Sequence, residues 1–313
     1  MIRSMDRAAD RFGGPGWTTR FAPAPTGYLH LGHVVNAIWV WGAARAFGGR
    51  VLLRIEDHDR IRSRPIYDLA IAEDLAWLGL EPDTPVVRQS EREALYGSAL
   101  ERLAGLGVVY RCDCTRREIL DQAPGGDELR YPGTCRARGL DAAAGPMRRV
   151  YLAREEIVFD ELRLGPRTQV PAEQCGDLLA RDRNGNWTYQ FAVTVDDLEQ
   201  RVDMVIRGED LRASTGRQIQ LARLLGRSEP ARFLHHPLIR KPDGSKLSKS
   251  SGDTGIRDLR ARGWTAARVL GSAAAAVGLV EHGQALGVTD LASCVVRALE
   301  TGARSNSSET RES

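Results

Sequence analysis

The stretch Thr18-Thr-Arg20-Phe-Ala-Pro23-Ala-Pro-Thr-Gly27-Tyr-Leu-His30-Leu-Gly-His33 decides how the chain is read. Thr18 to Ala22 has the form of a short buried strand. A Pro/Gly turn follows, and the apolar run from about His33 to Phe47, closed by Gly48-Gly49, reads as a helix. His30 and His33 lie three apart at that helix's start, so their imidazoles can point the same way, beside free amides that favour phosphate. Pro23, Ala24, Pro25, Gly27 and Gly32 let the backbone lie close to a nucleotide. A side chain at Gly32 is expected to collide with adenine or ribose.

Working outward, Val51 to Ile55 is a second strand whose exit, Glu56-Asp57-His58-Asp59, sets three acids and an imidazole at a strand's carboxyl end, where open parallel sheets bind ligands. Helical spacing recurs in Ile71, Leu75 and Leu78, and again in Leu95, Ala99, Leu103 and Leu106. This β-α-β-α order predicts an α/β fold with a doubly wound parallel sheet of Rossmann type. Residues 108–187 carry short strands, turns and many arginines, and read as an insertion that splits the sheet. Beyond it, Tyr189 to Val195, Val202 to Arg207 and Phe233 to Arg240 read as strands. Thr215-x-x-Gln218 reads as the capping-box start of a helix to Leu225. The expected plan is a flexible extension over 1–17, the first half of the sheet over 18–107, the insertion over 108–187 and the second half over 188–255. A helical region over 256–303 and a disordered tail over 304–313 complete it.

The chain has 313 residues and 42% hydrophobic content, enough for a substantial core. Its net charge of +3 arises from 44 basic and 41 acidic residues, so an RNA-binding surface is expected to be a local basic patch. No leader and no bilayer-spanning apolar run are visible, which predicts a cytoplasmic enzyme with no membrane partner. No obligate protein partner is implied.

Two further motifs carry chemistry. Gly244-Ser-Lys246-Leu-Ser-Lys249-Ser250, after the turn Pro242-Asp243-Gly244, offers two ammonium groups on a flexible loop that can fold over a triphosphate. Together with the histidines it forms the second jaw of an ATP site that attacks the α-phosphate, with His30, His33, Lys246 and Lys249 as catalytic candidates and Pro23, Gly32, His33 and Lys249 around ATP. The second motif is Cys112-x-Cys114 followed, after sixteen residues, by Tyr131-Pro-Gly-Thr-Cys135. Three thiolates suit a structural zinc, and His, Asp, water or tyrosinate would complete its tetrahedron.

Arg20-Phe-Ala-Pro-Ala-Pro-Thr-Gly27, His30-Leu-Gly-His33, Arg54-Ile-Glu-Asp57, Arg207-Gly-Glu-Asp210 and Lys246-Leu-Ser-Lys249-Ser250 together resemble the class I aminoacyl-tRNA synthetases of the glutamyl/glutaminyl group, over roughly residues 18–270. The resemblance implies a Rossmann domain split by an acceptor-binding insertion, and a two-step reaction through an aminoacyl-adenylate, with Mg2+ accompanying ATP. It places Arg20, Phe21, Ala22, Pro23, Ala24, Glu56, Tyr189 and Arg207 around the amino acid. Charge complementarity then assigns Glu56 to the ammonium and Arg20 and Arg207 to the carboxylates of L-glutamate. Asp57, Asp59 and Asp210 are expected to be supports. The resemblance also points to Tyr131 as the fourth zinc ligand, on a structural site that braces the insertion.

Only a short helical stem-contact region, with no anticodon-binding domain, is expected after the lysine loop. That matches a shortened branch of the family, which activates glutamate without tRNA and esterifies it onto queuosine in the anticodon loop of tRNA(Asp). Arg116, Arg117, Arg136 and Arg138 suit phosphate contacts. A shortened enzyme charging a tRNA 3′ end would share the same site. A non-catalytic RNA-binding paralogue is disfavoured by the intact His30, His33 and Lys249.

Overall fold

The computed structural model describes residues 11–122, 128–240 and 255–309. Strands β1 (Thr18–Phe21), β2 (Arg50–Ile55) and β3 (Val87–Arg88) pair in parallel in the order β1-β2-β3. Three strands, β4 (Val109–Arg111), β5 (Arg148–Val150) and β8 (Leu178–Arg181), form an antiparallel sheet, and β6 (Ile157–Phe159) and β7 (Arg167–Gln169) form a hairpin. The last two, β9 (Met204–Gly208) and β10 (Arg232–His236), pair in parallel. Asp203 joins the two parallel sets: its N–H donates to the Thr18 carbonyl at 2.9 Å, and its carboxylate accepts from the Thr18 N–H at 3.0 Å. This sets β1 beside β9 and leaves the carboxyl ends of β1, β2 and β9 around one cleft.

Helix α1 (Leu31–Phe47) is buried along most of its length because it is covered twice. The sheet lies on one side, and the helices Ala266–Ala275 and Leu291–Glu309 lie on the other. Gly42 permits that second contact, since a Cβ there would stand 2.6 Å from Val295 Cγ2 and 2.7 Å from the Leu291 carbonyl oxygen. Gly48, at φ 70°, ends α1 in the left-handed conformation that glycine tolerates best. Helix α2 (Pro65–Leu78) connects β2 to β3, and α3 (Glu93–Gly105) leads from β3 to β4 of the antiparallel sheet; both lie where the spacing predicts helices.

Several expectations change. Tyr189 to Val195, read as a strand, begins helix α4 (Tyr189–Glu199). Phe191 through Asp197 are all buried, so no 3.6-residue alternation is visible, and the β-branched residues in that run imitate a strand. The Phe233 to Arg240 strand ends at His236. The described part of the 1–17 extension is packed. Phe12 stacks on Phe47 at 4.2 Å, and Trp17 donates its indole N–H to the Phe47 carbonyl at 3.0 Å. The hairpin β6–β7, read as part of the insertion, packs Ile157 and Phe159 against Val205, Ile219 and Phe233 of the second half. The last helix continues through Glu309, into the span read as a disordered tail.

Candidate active site

A cavity of about 450 Å³ opens at the carboxyl ends of β1, β2 and β9, lined by Arg20, Ala22, His30, Gly32, His33, Glu56, Tyr189 and Arg207 among others. The histidines are set by the backbone that precedes α1. Gly32 N–H donates to His30 Nδ1 at 3.1 Å, and His30 N–H donates to His33 Nδ1 at 3.1 Å, a reciprocal capping box built from imidazoles. Because both Nδ1 atoms accept from amides, the ring proton of each neutral imidazole sits on Nε2. Capping therefore fixes two N–H donors, with ring centroids 4.0 Å apart, at the positive end of a seventeen-residue helix. A Cβ on Gly32 would first meet the His30 ring, 2.9 Å from Cε1, so glycine preserves the cap itself.

The wall of the cleft that carries Arg20 and Glu56 rests on a buried charge cluster. Asp197 accepts from Arg20 Nε at 3.1 Å and from Arg54 Nη1 at 2.7 Å, and Arg54 also donates to Glu56 at 3.1 Å. Asp196 accepts from Gln89, Arg92 and Tyr96 at 2.7 to 2.9 Å. Burial alone would lower the Arg54 pKa, yet Asp197, Asp196 and Glu56 hold it above its ordinary value. Burial raises the Asp197 pKa, but Arg20 and Arg54 outweigh it and keep the carboxyl below its usual range. For Glu56 burial wins, and its pKa is raised.

Arg207 differs from these arginines. Its Nε donates to His235 Nε2 at 3.2 Å, Nη1 to Gln218 Oε1 at 2.6 Å and Nη2 to Thr215 Oγ1 at 2.9 Å. None of these acceptors is an acid. Burial pushes the Arg207 guanidinium down to about 10, and the Tyr189 phenol beside it up to about 12. Thr215 and Gln218 thus serve Arg207, and the helix they begin, α5 (Thr215–Leu224), has no side-chain cap; the expected capping box is absent.

The sequence candidates divide as follows. Arg20 and Ala22 face the cavity, and Phe21 between them packs on Trp41 in the core at 5.4 Å, so its side chain lies away from the cleft. Pro23 is buried, and its carbonyl accepts from the Glu56 N–H at 3.0 Å, tying the first motif to the second; neither it nor Ala24 lines the cavity. Lys246 and Lys249 lie outside the described residues. Asp57 accepts from the Ser90 N–H and hydroxyl at 2.7 and 2.6 Å, the work of a support. Sequence reasoning passed over Asn36 and His236, which line the cavity and meet at 3.0 Å, and over Asp196 and Asp197, and it read Gln218 only as part of a helix cap. The acids follow directly on the buried run of α4, a pattern that signals buried charge.

A second cluster lies in the antiparallel region. Cys112, Cys114 and Cys135 are buried, with their sulfurs within 4.8 Å of one another. The Tyr131 hydroxyl lies 3.6 Å from Cys112 Sγ and 4.0 Å from Cys114 Sγ. Bonds of about 2.3 Å around a tetrahedral zinc would set sulfurs about 3.8 Å apart, so the donor set fits that ion. Burial pushes the Cys114 thiol up to about 12, with Cys135 and Cys112 adding to it; a cation would remove that obstacle to ionisation. Gly176, at φ 68°, pins Tyr131 by close approach, since a Cβ there would lie 1.9 Å from the Tyr131 carbonyl oxygen. Among the expected phosphate contacts, Arg136 pairs with Asp177 at 2.7 Å and Arg138 with Asp113 at 2.8 Å, whereas Arg116 and Arg117 are exposed.

Paired imidazole donors at a helix N-terminus, beside a pocket lined by two arginines, one of which bonds no acid, suit an enzyme that joins a nucleotide's phosphate to an acidic substrate. The chain belongs to the class I tRNA synthetases of the glutamate and glutamine (E and Q) group, whose catalytic-domain model matches residues 17–273. It is 44% identical over 248 residues to the glutamyl-Q tRNA(Asp) synthetase of Burkholderia cenocepacia, covering 77% of this chain and 83% of that protein. It is 44% identical over 286 residues to the protein of that name from Symbiobacterium thermophilum, covering 84% and 87%. A crystal structure of a glutamate tRNA ligase from Elizabethkingia meningosepticum, in complex with its amino acid, superposes with a TM-score of 0.73 at 25% identity. That match covers 88% of this chain and 64% of the ligase, so the chain spans under two thirds of that protein's length.

Proposed function

We propose that the protein activates L-glutamate with ATP, without needing tRNA, and transfers the glutamyl group to queuosine in the anticodon loop of tRNA(Asp). The observation that carries this reading is the placement of charge in the pocket: Arg20, Arg207 and Glu56 line it together with Asp210, and Arg207 bonds no acid of its own, which suits an amino acid with two carboxylates and one ammonium. The relatives at 44% identity that bear the glutamyl-Q tRNA(Asp) synthetase name support the acceptor.

In the first step a glutamate α-carboxylate oxygen bonds to the α-phosphorus of ATP as the bond to pyrophosphate breaks. Glu56 holds the substrate ammonium, and Arg207 holds a carboxylate at full charge. The Nε2–H groups of His30 and His33 donate to phosphate oxygens as charge builds on them. Lys246 and Lys249 complete the second jaw over the triphosphate, whose charge Mg2+ bound with ATP would partly offset. In the second step a hydroxyl of the queuosine cyclopentenediol attacks the acyl carbon and AMP leaves. Cys112, Cys114, Cys135 and Tyr131 would hold a zinc ion, which would cross-link the insertion; the insertion takes the RNA as an acceptor-binding subdomain with Arg116 and Arg117 on its exposed side. No protein partner is required, and the setting is cytoplasmic. Among the described residues no helix is long and apolar enough to cross a membrane.

Pyrophosphate exchange tests the first step: it is expected to depend on glutamate and not on tRNA, and its absence under all conditions overturns the enzyme. Labelled glutamate offered to tRNA(Asp) with and without queuosine tests the second. Label on the 3′ adenosine would assign the protein to 3′-end charging instead.

A further inference from the structure

Arg207 is 4% exposed and has no carboxylate among its hydrogen-bond acceptors, although the buried arginines next to it, Arg20 and Arg54, both bond acids. Its partners are an amide oxygen, a threonine hydroxyl, an imidazole nitrogen and the Tyr189 phenol beside it, all uncharged groups. Each acceptor is held neutral or oriented by its own partners. Gln218 turns its oxygen to Arg207 because its amide nitrogen donates to Gln190 Oε1 at 2.7 Å, and Gln190 in turn donates to Ser214 at 2.8 Å. Burial lowers the His235 pKa and keeps the ring uncharged; its Nδ1 faces Glu161 at 3.6 Å, which leaves Nε2 as the acceptor. Phe233 covers one side of the guanidinium at 5.5 Å.

We infer that Gln218, with Thr215 and His235, forms an acid-free clamp that orients Arg207 without neutralising it, and that Gln218 is thereby a specificity-determining residue for an acidic over an amide side chain. The inference rests on the glutamate reading above and extends it to residues outside the cavity wall. A carboxylate at position 218 would orient Arg207 equally well, and its charge is what the site excludes. The substrate carboxylate is then the first full counter-charge in hydrogen-bonding contact with Arg207. Glutamine, which cannot supply one, leaves the buried cation uncompensated. Gln218 touches no substrate and acts through Arg207, as a positioning residue.

The test is steady-state pyrophosphate exchange with glutamate and with glutamine, on the full chain and its Gln218→Glu and Gln218→Met variants. Gln218→Glu places a resident anion on Nη1, and is expected to raise KM for glutamate on the order of 30- to 100-fold with KM for ATP unchanged. Its glutamine activity is expected to stay level or rise, so the preference for glutamate falls by at least about tenfold. Gln218→Met removes one neutral acceptor, and is expected to raise KM for glutamate by only about three- to tenfold with the preference kept. An unchanged preference in Gln218→Glu, or equal losses in both variants, would overturn the clamp, since a packing defect penalises both amino acids alike. Absence of glutamate-dependent exchange in the unaltered protein would instead overturn the glutamate reading, and the clamp with it.

Discussion

Replacing Asp197 by asparagine isolates what holds the amino-acid pocket together. The Asp197 carboxylate accepts from Arg20 at 3.1 and 3.3 Å and from Arg54 at 2.7 Å, and the three side chains are between 0% and 12% exposed. An amide can still accept from one arginine, but it turns an N–H2 group toward the other and removes the charge that compensates both. Two charge-assisted bonds at about 1.5–3 kcal/mol each agree with the loss of about 3–5 kcal/mol expected when one partner of a buried ion pair is removed. For a chain of this size that corresponds to a fall in Tm of roughly 5–8 °C. The pH dependence gives an independent check. The folded-state pKa of Asp197 is depressed, so its stabilisation is present above the unfolded value of about 3.9 and is lost as pH falls through the folded value. Thermal melts followed by circular dichroism should show the full gap between the two proteins near neutral pH and a narrowing gap below about pH 4. A loss under about 1 kcal/mol, or a gap that does not change with acid, would refute the reasoning that the cluster is held by this one charge.

Three further outcomes follow from other parts of the molecule. Elemental analysis should find about one zinc per chain, lost in Cys114→Ser and retained with weaker affinity in Tyr131→Phe; metal-free protein that melts at the same temperature as the untreated protein would remove the structural role. His33→Ala deletes both a donor to phosphate and the acceptor for the His30 N–H, so adenylate formation measured by single turnover should slow about 10²- to 10³-fold, with no more than about 1 kcal/mol lost in stability. An unchanged rate would take His33 out of the mechanism. Phe12→Ala should destabilise by about 3–5 kcal/mol if the segment preceding β1 is core, and by almost nothing if it is a loose extension.

Much of the architecture was legible because it is written locally. The alternation of short apolar runs with 3.6-residue spacing, punctuated at Gly27 and Gly48, located β1, α1, β2, α2 and α3 without any tertiary information. Local reading failed where burial erased the periodicity. Helix α4 has protein on almost every side, so its pattern carried no orientation, and Phe12 and Trp17 are isolated aromatics among glycines whose partner Phe47 lies thirty or more positions away. Thr215 and Gln218 carry a capping-box spacing, yet their polar atoms go to Arg207, because a buried cation without an acid needs acceptors more than an exposed helix end does.

What the sequence by itself determined is the reactive inventory: two histidines spaced to cap one helix, a lysine loop, a cysteine and tyrosine set, and arginines with a glutamate that suit an acidic amino acid. These are short-range patterns, and spacing along the chain is enough to express them. Only the tertiary structure decided which charges are compensated. Arg20 meets Asp197 across 177 positions and Arg54 meets the same carboxylate across 143, while Arg207 is left with neutral partners. The physical reason is that desolvation and ion pairing depend on distance and dielectric in three dimensions. Two arginines that line one cavity therefore differ on folding: Arg20 bonds an acid, and Arg207 bonds only uncharged acceptors.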